Sequence, residues 1–256
     1  MPEATWSPTS ASPACFNTLQ RDAWSCGTAQ EARGPANGRR PRSHCPTAPI
    51  TYWCFHIHNV KLDPKGYNIA HTALAVGVHN DFTSYTWPPS VQALHMLVNE
   101  CEGGASTVVD GFGLLDALRR EHPDKFDALC SVRVPFRIFS DEYECYAANP
   151  MVDLDTDGEI RMIRFNTAQM QAIPLSEPRL GEFYAAYHEL SRRVNDPGAQ
   201  VTFRLEGGMI LLCAGHRVLH GRTEMVSSGA RHLQDAYFEH DNVRTHLRLL
   251  RRTGRA

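Results

Sequence analysis

The sequence predicts a mainly β fold with flanking helices, arranged as a sandwich or a barrel. Two observations support this prediction: short apolar runs of strand length recur along the chain, and the regular strand–helix alternation of a doubly wound fold is missing. Many short strands are typical of sandwiches and barrels. The predicted strands are rich in β-branched residues and lie at Leu74–Val78, Val91–Val98, Ser106–Val109, Val132–Phe139, Ile160–Phe165, Val201–Leu205, Met209–Cys213 and Ala236–Phe238.

Three helices are predicted among these strands. The first covers Gly113–His122, where leucines recur on one side. The longest covers Glu177–Asn195, with apolar side chains at helical spacing behind Ser176, which is a favourable N-cap residue. The last covers Asn242–Arg252 and is amphipathic.

The first 49 residues differ in composition from the rest of the chain. Residues 1–49 contain no valine or isoleucine but seven of the sixteen prolines. Such a segment cannot bury enough apolar surface to offset its loss of conformational entropy, so we predict that it is disordered and that residues 50–256 form one domain. The start of the chain lacks the apolar stretch of a secretory signal peptide, which favours a cytoplasmic location. Its arginine and serine content leaves a mitochondrial location open.

The composition argues against several classes of function. The 26 basic and 28 acidic residues leave a net charge of −2, so no electrostatic footprint for nucleic acid is present. No apolar run reaches the roughly 18 residues of a membrane span. The eight cysteines contain no C-x-x-C pair, which argues against a structural zinc site or a redox centre. We therefore expect a small-molecule substrate, and a homodimer stays open.

A His-x-Asp pair, His79 and Asp81, follows a predicted core strand. Residues two apart on an extended chain point the same way, so an imidazole and a carboxylate can reach one metal ion. Together they supply two of the three ligands with which non-haem Fe(II) oxygenases hold iron, the facial triad of two histidines and one carboxylate. A second such pair, His122 and Asp124, lies beside a charged helix, where a solvated surface is the simpler interpretation.

Two later residues complete the pattern. His220 follows apolar residues and precedes a glycine, so it can supply the third ligand from another strand. Arg231 lies eleven residues further on, and its guanidinium can bind the distal carboxylate of 2-oxoglutarate with two hydrogen bonds. The order of His-x-Asp, His and Arg is far more specific than any one of its members.

From about Asn68 to Leu250 the chain resembles the γ-butyrobetaine dioxygenases, which are TauD-like Fe(II)- and 2-oxoglutarate-dependent enzymes, with the trimethyllysine dioxygenases as a related group. The resemblance rests on the segments Asn68–Thr72, Pro88–His95, Gly103–Phe112, Ile163–Asn166, Val218–Arg222 and Arg231–Leu233. It implies a double-stranded β-helix, or jelly roll, and hydroxylation of γ-butyrobetaine to carnitine in carnitine biosynthesis. It also implies Fe(II) and 2-oxoglutarate, and it leaves a use of ascorbate open.

The resemblance also implies a role for individual residues, with no catalytic residue beyond the metal ligands. The iron ligands would be His79, Asp81 and His220. Arg231 would bind 2-oxoglutarate near Leu94. The residues that contact substrate would be Asn68 and Asn166 at its carboxylate and Tyr237 as one wall of an aromatic cage for the trimethylammonium group.

The sequence departs from the family at several points of this cage. His71 stands where the family has a tyrosine, and the other cage pair has no clear counterpart at Cys54 and His58, although Trp53 could substitute. The family also has more scaffold upstream, so we expect a chain truncated at its N-terminus. Two alternatives stay open: the same chemistry on trimethyllysine or another small carboxylate, and a catalytically silent family member.

Overall fold

The computed structural model describes residues 57–62, 69–140, 143–226 and 228–254, and within these ranges the chain is mainly β with several helices. The strands are β1 His58–Lys61, β2 Val76–His79, β3 Val91–Asn99, β4 Glu102–Gly103, β5 Ser106–Asp110, β6 Arg133–Phe139, β7 Glu144–Pro150, β8 Val152–Leu154, β9 Ile160–Ile163, β10 Val201–Phe203, β11 Ile210–Ala214, β12 Val218–Arg222, β13 Met225–Val226 and β14 Arg231–Phe238. The α-helices are α1 Gly111–Glu121, α2 Pro123–Ser131, α3 Leu180–Val194 and α4 His240–Arg252, and short 3₁₀ turns occur at Ile69–His71 and Pro197–Ala199.

Two four-stranded sheets, both antiparallel, carry the residues of interest. The first sheet has the strand order β1-β14-β3-β11, and the second has the order β10-β5-β12-β2. His79 ends β2 and His220 lies in its neighbour β12, whereas Arg231 and Tyr237 lie in β14 of the first sheet. The predicted site therefore draws its residues from both sheets.

Two hydrophobic cores hold the sheets in place. The larger core joins β5 and β12 of the second sheet to helices α1, α2 and α3; its buried members include Val109, Leu115, Leu118, Leu129, Phe183, Leu190 and Leu219. A smaller core packs Met96 of β3 and Leu233 of β14 against Leu205, which follows β10 of the second sheet, with Leu94 packed against it. Burial of each large apolar side chain contributes roughly 1.5–3 kcal/mol. The strands that carry His220 and Arg231 are thus anchored by packed side chains on either side.

Seven of the eight strands predicted from the sequence occur with ends within two residues of the prediction. The eighth, β14, begins at Arg231 rather than at Ala236. Its first residues alternate between buried and half-buried positions, and two of the buried ones, Arg231 and Asp235, are charged. Because charged residues occupy these buried positions, the start of β14 lacks the apolar alternation by which a strand is predicted.

The helices require two corrections. The longest helix begins at Leu180 with Arg179 as its N-cap residue, so the predicted cap at Ser176 is wrong. The reason is a turn that comes first, in which the amide of Leu180 donates to the carbonyl of Glu177. The sequence analysis also missed helix α2, which Pro123 begins. The amide hydrogens in the first turn of a helix have no acceptor within the helix. Proline has no amide hydrogen, so it loses no hydrogen bond when it begins a helix.

Two expectations concern the membrane and the N-terminal segment. Among the described residues, no helix combines the length and the apolar character needed to cross a bilayer. Residues 1–49, which we predict to be disordered, lie outside the described ranges, as do Trp53 and Cys54.

Candidate metal centre

The structure brings His79, Asp81 and His220 together. One ligand atom from each lies within 4.8 Å of the others, and within the described ranges this is the one such group of three metal-binding side chains. His79 Nε2 lies 3.3 Å from Asp81 Oδ1, and His220 Nε2 lies 3.7 Å from Asp81 Oδ2. The cause is strand register, because His220 pairs directly with His79 across the β12–β2 ladder.

Asn80 fixes the backbone between the first two ligands. Its side chain is 3% exposed and donates to the carbonyls of Gly215 at 2.9 Å and Val218 at 3.2 Å. Its amide oxygen accepts a hydrogen bond from the amide of Phe165 at 3.0 Å. A side chain so engaged holds the chain at the end of β2, so His79 and Asp81 on either side of it keep one orientation.

A glycine lets the two ligand strands approach each other. A Cβ atom at Gly221 would lie 2.7 Å from the carbonyl oxygen of Val76 in β2 and 3.0 Å from the amide of Val78. Real Cβ contacts are longer, so a larger residue at this position would push β12 away from β2. Gly221 follows His220 directly. The close pairing of His220 with His79 therefore requires a residue without a side chain at position 221.

Hydrogen bonds, burial and neighbouring charges set the protonation of the three side chains. His79 Nδ1 lies 2.8 Å from the carbonyl of Gly77, and because a carbonyl only accepts, the ring carries a proton on Nδ1 and presents Nε2 to the cluster. Burial alone would lower the pKa of His79, but the hydrogen bond to Asp81 and the charge of Asp81 outweigh it and raise this pKa, so a bound metal ion would replace a proton on His79 Nε2. Burial lowers the pKa of His220 to about 4, helped by the nearby charge of His79, so this imidazole is neutral at pH 7. Burial alone would raise the pKa of Asp81, but the hydrogen bond from His79 and the charge of His220 outweigh it and hold this pKa well below its usual range.

These three side chains therefore fit an Fe(II) site. They offer two imidazole nitrogens and one carboxylate, the donor set of the facial triad of two histidines and one carboxylate. The hydrogen bond from His79 Nδ1 to a backbone carbonyl is the kind of support that orients metal-bound histidines.

A hydrogen-bond network surrounds Asp81. Its Oδ2 atom accepts hydrogen bonds from Gln92 Nε2 at 2.7 Å and from the Tyr237 hydroxyl at 2.8 Å. Both donors also reach Asp235, which is 8% exposed, and its Oδ1 lies 3.1 Å from Gln92 Nε2. Burial raises the pKa of Asp235 to about 7, and the charge of Asp81 acts in the same direction. The sequence analysis missed Gln92 and Asp235.

Arg231 lies on the same face of β14 as Asp235 and Tyr237. Its side chain is buried, with 9% of the residue exposed, and its Nε atom has no hydrogen-bond partner within the described part of the chain. Burial lowers the pKa of this guanidinium. A buried charge without a partner is costly, so this position fits a ligand that carries a carboxylate. Leu94, predicted beside it, pairs with Asp235 across the β3–β14 ladder.

The residues predicted to contact substrate differ in what the structure shows. Tyr237 lines a cavity that also exposes Asp81, Gln92 and His220. Asn166 is buried beside Asn80, to whose carbonyl it donates at 3.0 Å, while its amide oxygen accepts from the backbone amides of residues 168 and 169. Among the described residues, one amide hydrogen of Asn166 has no hydrogen-bond acceptor. Asn68 lies outside the described residues.

The family model for the taurine catabolism dioxygenase TauD, TfdA family matches residues 25–237. The γ-butyrobetaine dioxygenase of Pseudomonas sp. (strain AK-1) is 35% identical over 186 residues, which cover 72% of this chain and 48% of that protein. The human γ-butyrobetaine dioxygenase (Homo sapiens) is 31% identical over 208 residues, covering 78% of this chain and 54% of that protein. The trimethyllysine dioxygenase of Meyerozyma guilliermondii is 30% identical over 186 residues, which cover 71% of this chain and 46% of that protein. The chain thus spans about half the length of these curated relatives.

Solved structures of similar fold are iron-dependent oxygenases. Asparagine oxygenase in complex with Fe(II), 3-hydroxyasparagine and succinate has a TM-score of 0.56 at 18% identity, covering 72% of this chain and 56% of that one. The non-haem iron oxygenase OrfP in complex with Fe and α-ketoglutaric acid has a TM-score of 0.57 at 16% identity, covering 74% and 58%. At these identities the likeness shows the fold.

Proposed function

The chain belongs to the taurine catabolism dioxygenase TauD, TfdA family, and from this premise we propose that it hydroxylates γ-butyrobetaine to carnitine with Fe(II) and 2-oxoglutarate. One observation carries the proposal: the ligand atoms of His79, Asp81 and His220 lie within 4.8 Å of one another, beside a cavity that Tyr237 lines. The two γ-butyrobetaine dioxygenases at 35% and 31% identity favour this substrate.

We infer that the two four-stranded antiparallel sheets are the halves of a double-stranded β-helix. Their separate strand orders and the iron-dependent oxygenases of similar fold support this inference. The site would then lie between the halves, since its ligands come from β2 and β12 of one sheet and its other polar groups from β3 and β14 of the other.

The metal ligands would be His79 through Nε2, Asp81 and His220. Bound iron would supply the oxidation chemistry, in which O₂ and 2-oxoglutarate are consumed and an unactivated C–H bond is hydroxylated. The contribution of the protein is orientation. Gln92 and Tyr237 donate to Asp81 Oδ2 and so hold the carboxylate in one rotamer.

Arg231 would bind the distal carboxylate of 2-oxoglutarate. An ion pair in this buried place would orient the co-substrate and offset the cost of burying the guanidinium. The substrate would lie in the cavity beside Tyr237, whose negative ring face attracts the trimethylammonium group. A quaternary cation has no hydrogen to donate, so a hydrogen-bond acceptor could not bind it in the usual way. Asn166 retains one amide hydrogen that could bind the substrate carboxylate.

Trimethyllysine is the second candidate substrate, because a trimethyllysine dioxygenase is 30% identical to the chain and both substrates carry a trimethylammonium group. A comparison of succinate release decides between them. The purified chain with Fe(II) and 2-oxoglutarate should release succinate faster with γ-butyrobetaine than with trimethyllysine or without substrate. Equal stimulation would favour a broader trimethylammonium dioxygenase, and no stimulation in a chain that binds metal and 2-oxoglutarate would favour a catalytically silent family member.

A further inference from the structure

We propose that Phe82 is a specificity-determining residue, which together with Tyr237 forms an aromatic corner that receives a quaternary ammonium group. The proposal rests on the proposed function in that it concerns the same site and a cationic substrate. It assigns a wall of the cation site to a residue that neither the sequence analysis nor the resemblance indicated.

The two rings meet at a right angle beside the predicted metal ligands. The ring centroids of Phe82 and Tyr237 lie 4.5 Å apart, and the ring planes are inclined at 90°. Both residues line the cavity that exposes Asp81 and His220, and they are the aromatic side chains among its lining within the described ranges. The rings meet in an edge-to-face contact, and together they give the cavity two aromatic walls.

The backbone of Phe82 is held in an unfavourable conformation. Its φ angle is +56°, the one positive value of a non-glycine residue in the described part of the chain. Bulky residues rarely adopt this region, and strain of this kind persists where the surrounding structure enforces it. Asparagine or glycine would adopt the conformation more easily, so packing of the backbone alone does not explain a phenylalanine here.

Buried neighbours on both sides enforce this conformation. Before Phe82, Asn80 is anchored by its three side-chain hydrogen bonds. After it, the hydroxyl of Thr83 donates to Gln169 Oε1 at 3.0 Å, and the amide of Ser84 donates to the same oxygen at 3.3 Å. Thr83 and Ser84 are almost completely buried. The chain on either side of Phe82 is therefore fixed, and the ring is held toward the cavity.

The ring of Phe82 is not part of a structural core. Phe82 is half-buried and belongs to neither hydrophobic cluster, although its ring centroid lies 4.9 Å from that of Tyr85. His71, at the position where the family has a cage tyrosine, instead donates from Nδ1 to the carbonyl of Lys61 at 3.1 Å. Phe82 thus supplies an aromatic surface that His71, bound to the backbone, does not.

The charges at the corner favour a cation. The hydroxyl of Tyr237 donates to the carboxylate of Asp81, and its oxygen is also within hydrogen-bond distance of Asp235, so acidic side chains lie at the hydroxyl end of this ring. The face of an aromatic ring is itself negative and binds quaternary ammonium groups without a hydrogen bond. The ligand class of the corner is therefore a quaternary ammonium ion.

The test compares Phe82→Asn with Phe82→Tyr and with Phe139→Asn as a matched control. Asparagine tolerates a positive φ and removes the ring, whereas tyrosine keeps the ring. Phe139 is 61% exposed at the end of β6 and does not line the cavity. Each full-length variant, loaded with Zn(II) and 2-oxoglutarate, is titrated with γ-butyrobetaine by calorimetry and with tetramethylammonium by NMR, and its melting temperature is recorded.

We expect Phe82→Asn to weaken binding of both cations by about three- to thirtyfold, the range that one cation–π contact supplies. Its affinity for 2-oxoglutarate and its melting temperature should not fall, and the other two variants should bind the cations like the parent chain. Unchanged cation binding in Phe82→Asn would overturn the proposal, as would a joint loss of metal, 2-oxoglutarate and thermal stability, or a parent chain that binds neither cation. A parent chain that binds tetramethylammonium at this corner but does not turn over γ-butyrobetaine would sink the proposed function and leave this inference standing.

Discussion

The hydroxyl of Tyr237 donates a hydrogen bond to Asp81 Oδ2 at 2.8 Å, so a residue predicted to contact substrate is bonded directly to a predicted metal ligand. One side chain thereby offers its ring to the cavity and its hydroxyl to the metal centre. The two functions can be separated by substitution, because phenylalanine keeps the ring and lacks the hydroxyl.

Tyr237→Phe should weaken Fe(II) binding by about ten- to hundredfold, since removal of a group that orients a metal ligand typically has an effect of this size. Binding of γ-butyrobetaine to the metal-loaded protein should remain within about threefold, because the ring is retained. Metal titration and calorimetry measure the two effects. Tyr184→Phe, on an exposed part of α3, is the control, and equal metal affinity in both variants would refute the proposed support of Asp81.

The metal assignment is tested by single histidine substitutions. His79→Ala and His220→Ala should each abolish stoichiometric Fe(II) binding, because each removes one of three ligands. His122→Ala should leave it unchanged, since His122 lies between α1 and α2, outside the group of ligand atoms. Iron content of the three purified variants gives the answer, and equal content in all of them would show that the metal binds elsewhere.

Arg231→Met should affect the co-substrate and the free protein in opposite directions. Loss of a buried partner costs a bound carboxylate roughly 3–5 kcal/mol, so the affinity for 2-oxoglutarate should fall by about a hundredfold or more. Without co-substrate the variant should melt at a higher temperature, because an apolar side chain replaces a buried guanidinium whose Nε has no hydrogen-bond partner among the described residues.

Arg217→Met is the control for this variant, because Arg217 pairs with Asp110 on the surface. Calorimetry and thermal melts of both variants test the expectation. A change in 2-oxoglutarate affinity of less than about threefold in Arg231→Met would mean that another residue binds the distal carboxylate.

The convergence of His79 and Asp81 could be predicted from their spacing of two residues, which lets both side chains reach one side of an extended chain, although β2 ends at His79 and Asp81 lies just beyond it. The roles of Asp235 and Gln92 at the site could not be predicted in this way. Their role depends on the register of β14 against β3, which sets Tyr237 opposite Gln92, and cross-strand register depends on contacts between distant parts of the chain.

The position of Phe82 at the cavity was not predicted, for a different reason. Its position at the cavity follows from a positive φ angle, which no residue pattern indicates for a phenylalanine. The start of β14 escaped because Arg231 and Asp235 occupy buried positions that a periodicity analysis assigns to apolar residues. The positive φ angle of Phe82 and the buried charged residues of β14 both lie at the candidate site. Departures from sequence rules are expected at functional sites.

Asp235→Asn should change how stability depends on pH in the metal-free protein. The pKa of Asp235 is raised to about 7 from 3.8, so the folded state holds a proton that the unfolded state has released between these values. This group therefore lowers stability as pH rises from about 4 to about 7, by at most about 1.4 kcal/mol per pH unit, and has no further effect above that. His220 acts in the opposite direction, because its pKa is lowered to about 4 from 6.5.

The comparison of Asp235→Asn with the parent chain isolates the aspartate from this opposing histidine. Urea unfolding at several pH values should show the variant gaining stability relative to the parent between about pH 4 and pH 7. A stability difference that stays constant over this window would contradict the raised pKa.

The product balance of the purified chain measures the proposed hydroxylation most directly. Incubation with Fe(II), 2-oxoglutarate, O₂ and γ-butyrobetaine, followed by mass spectrometry, should give carnitine and succinate in equal amounts, and His220→Ala should give neither. Succinate without carnitine would leave a dioxygenase of another substrate. A chain that binds iron and 2-oxoglutarate but forms neither product would contradict the proposed activity itself.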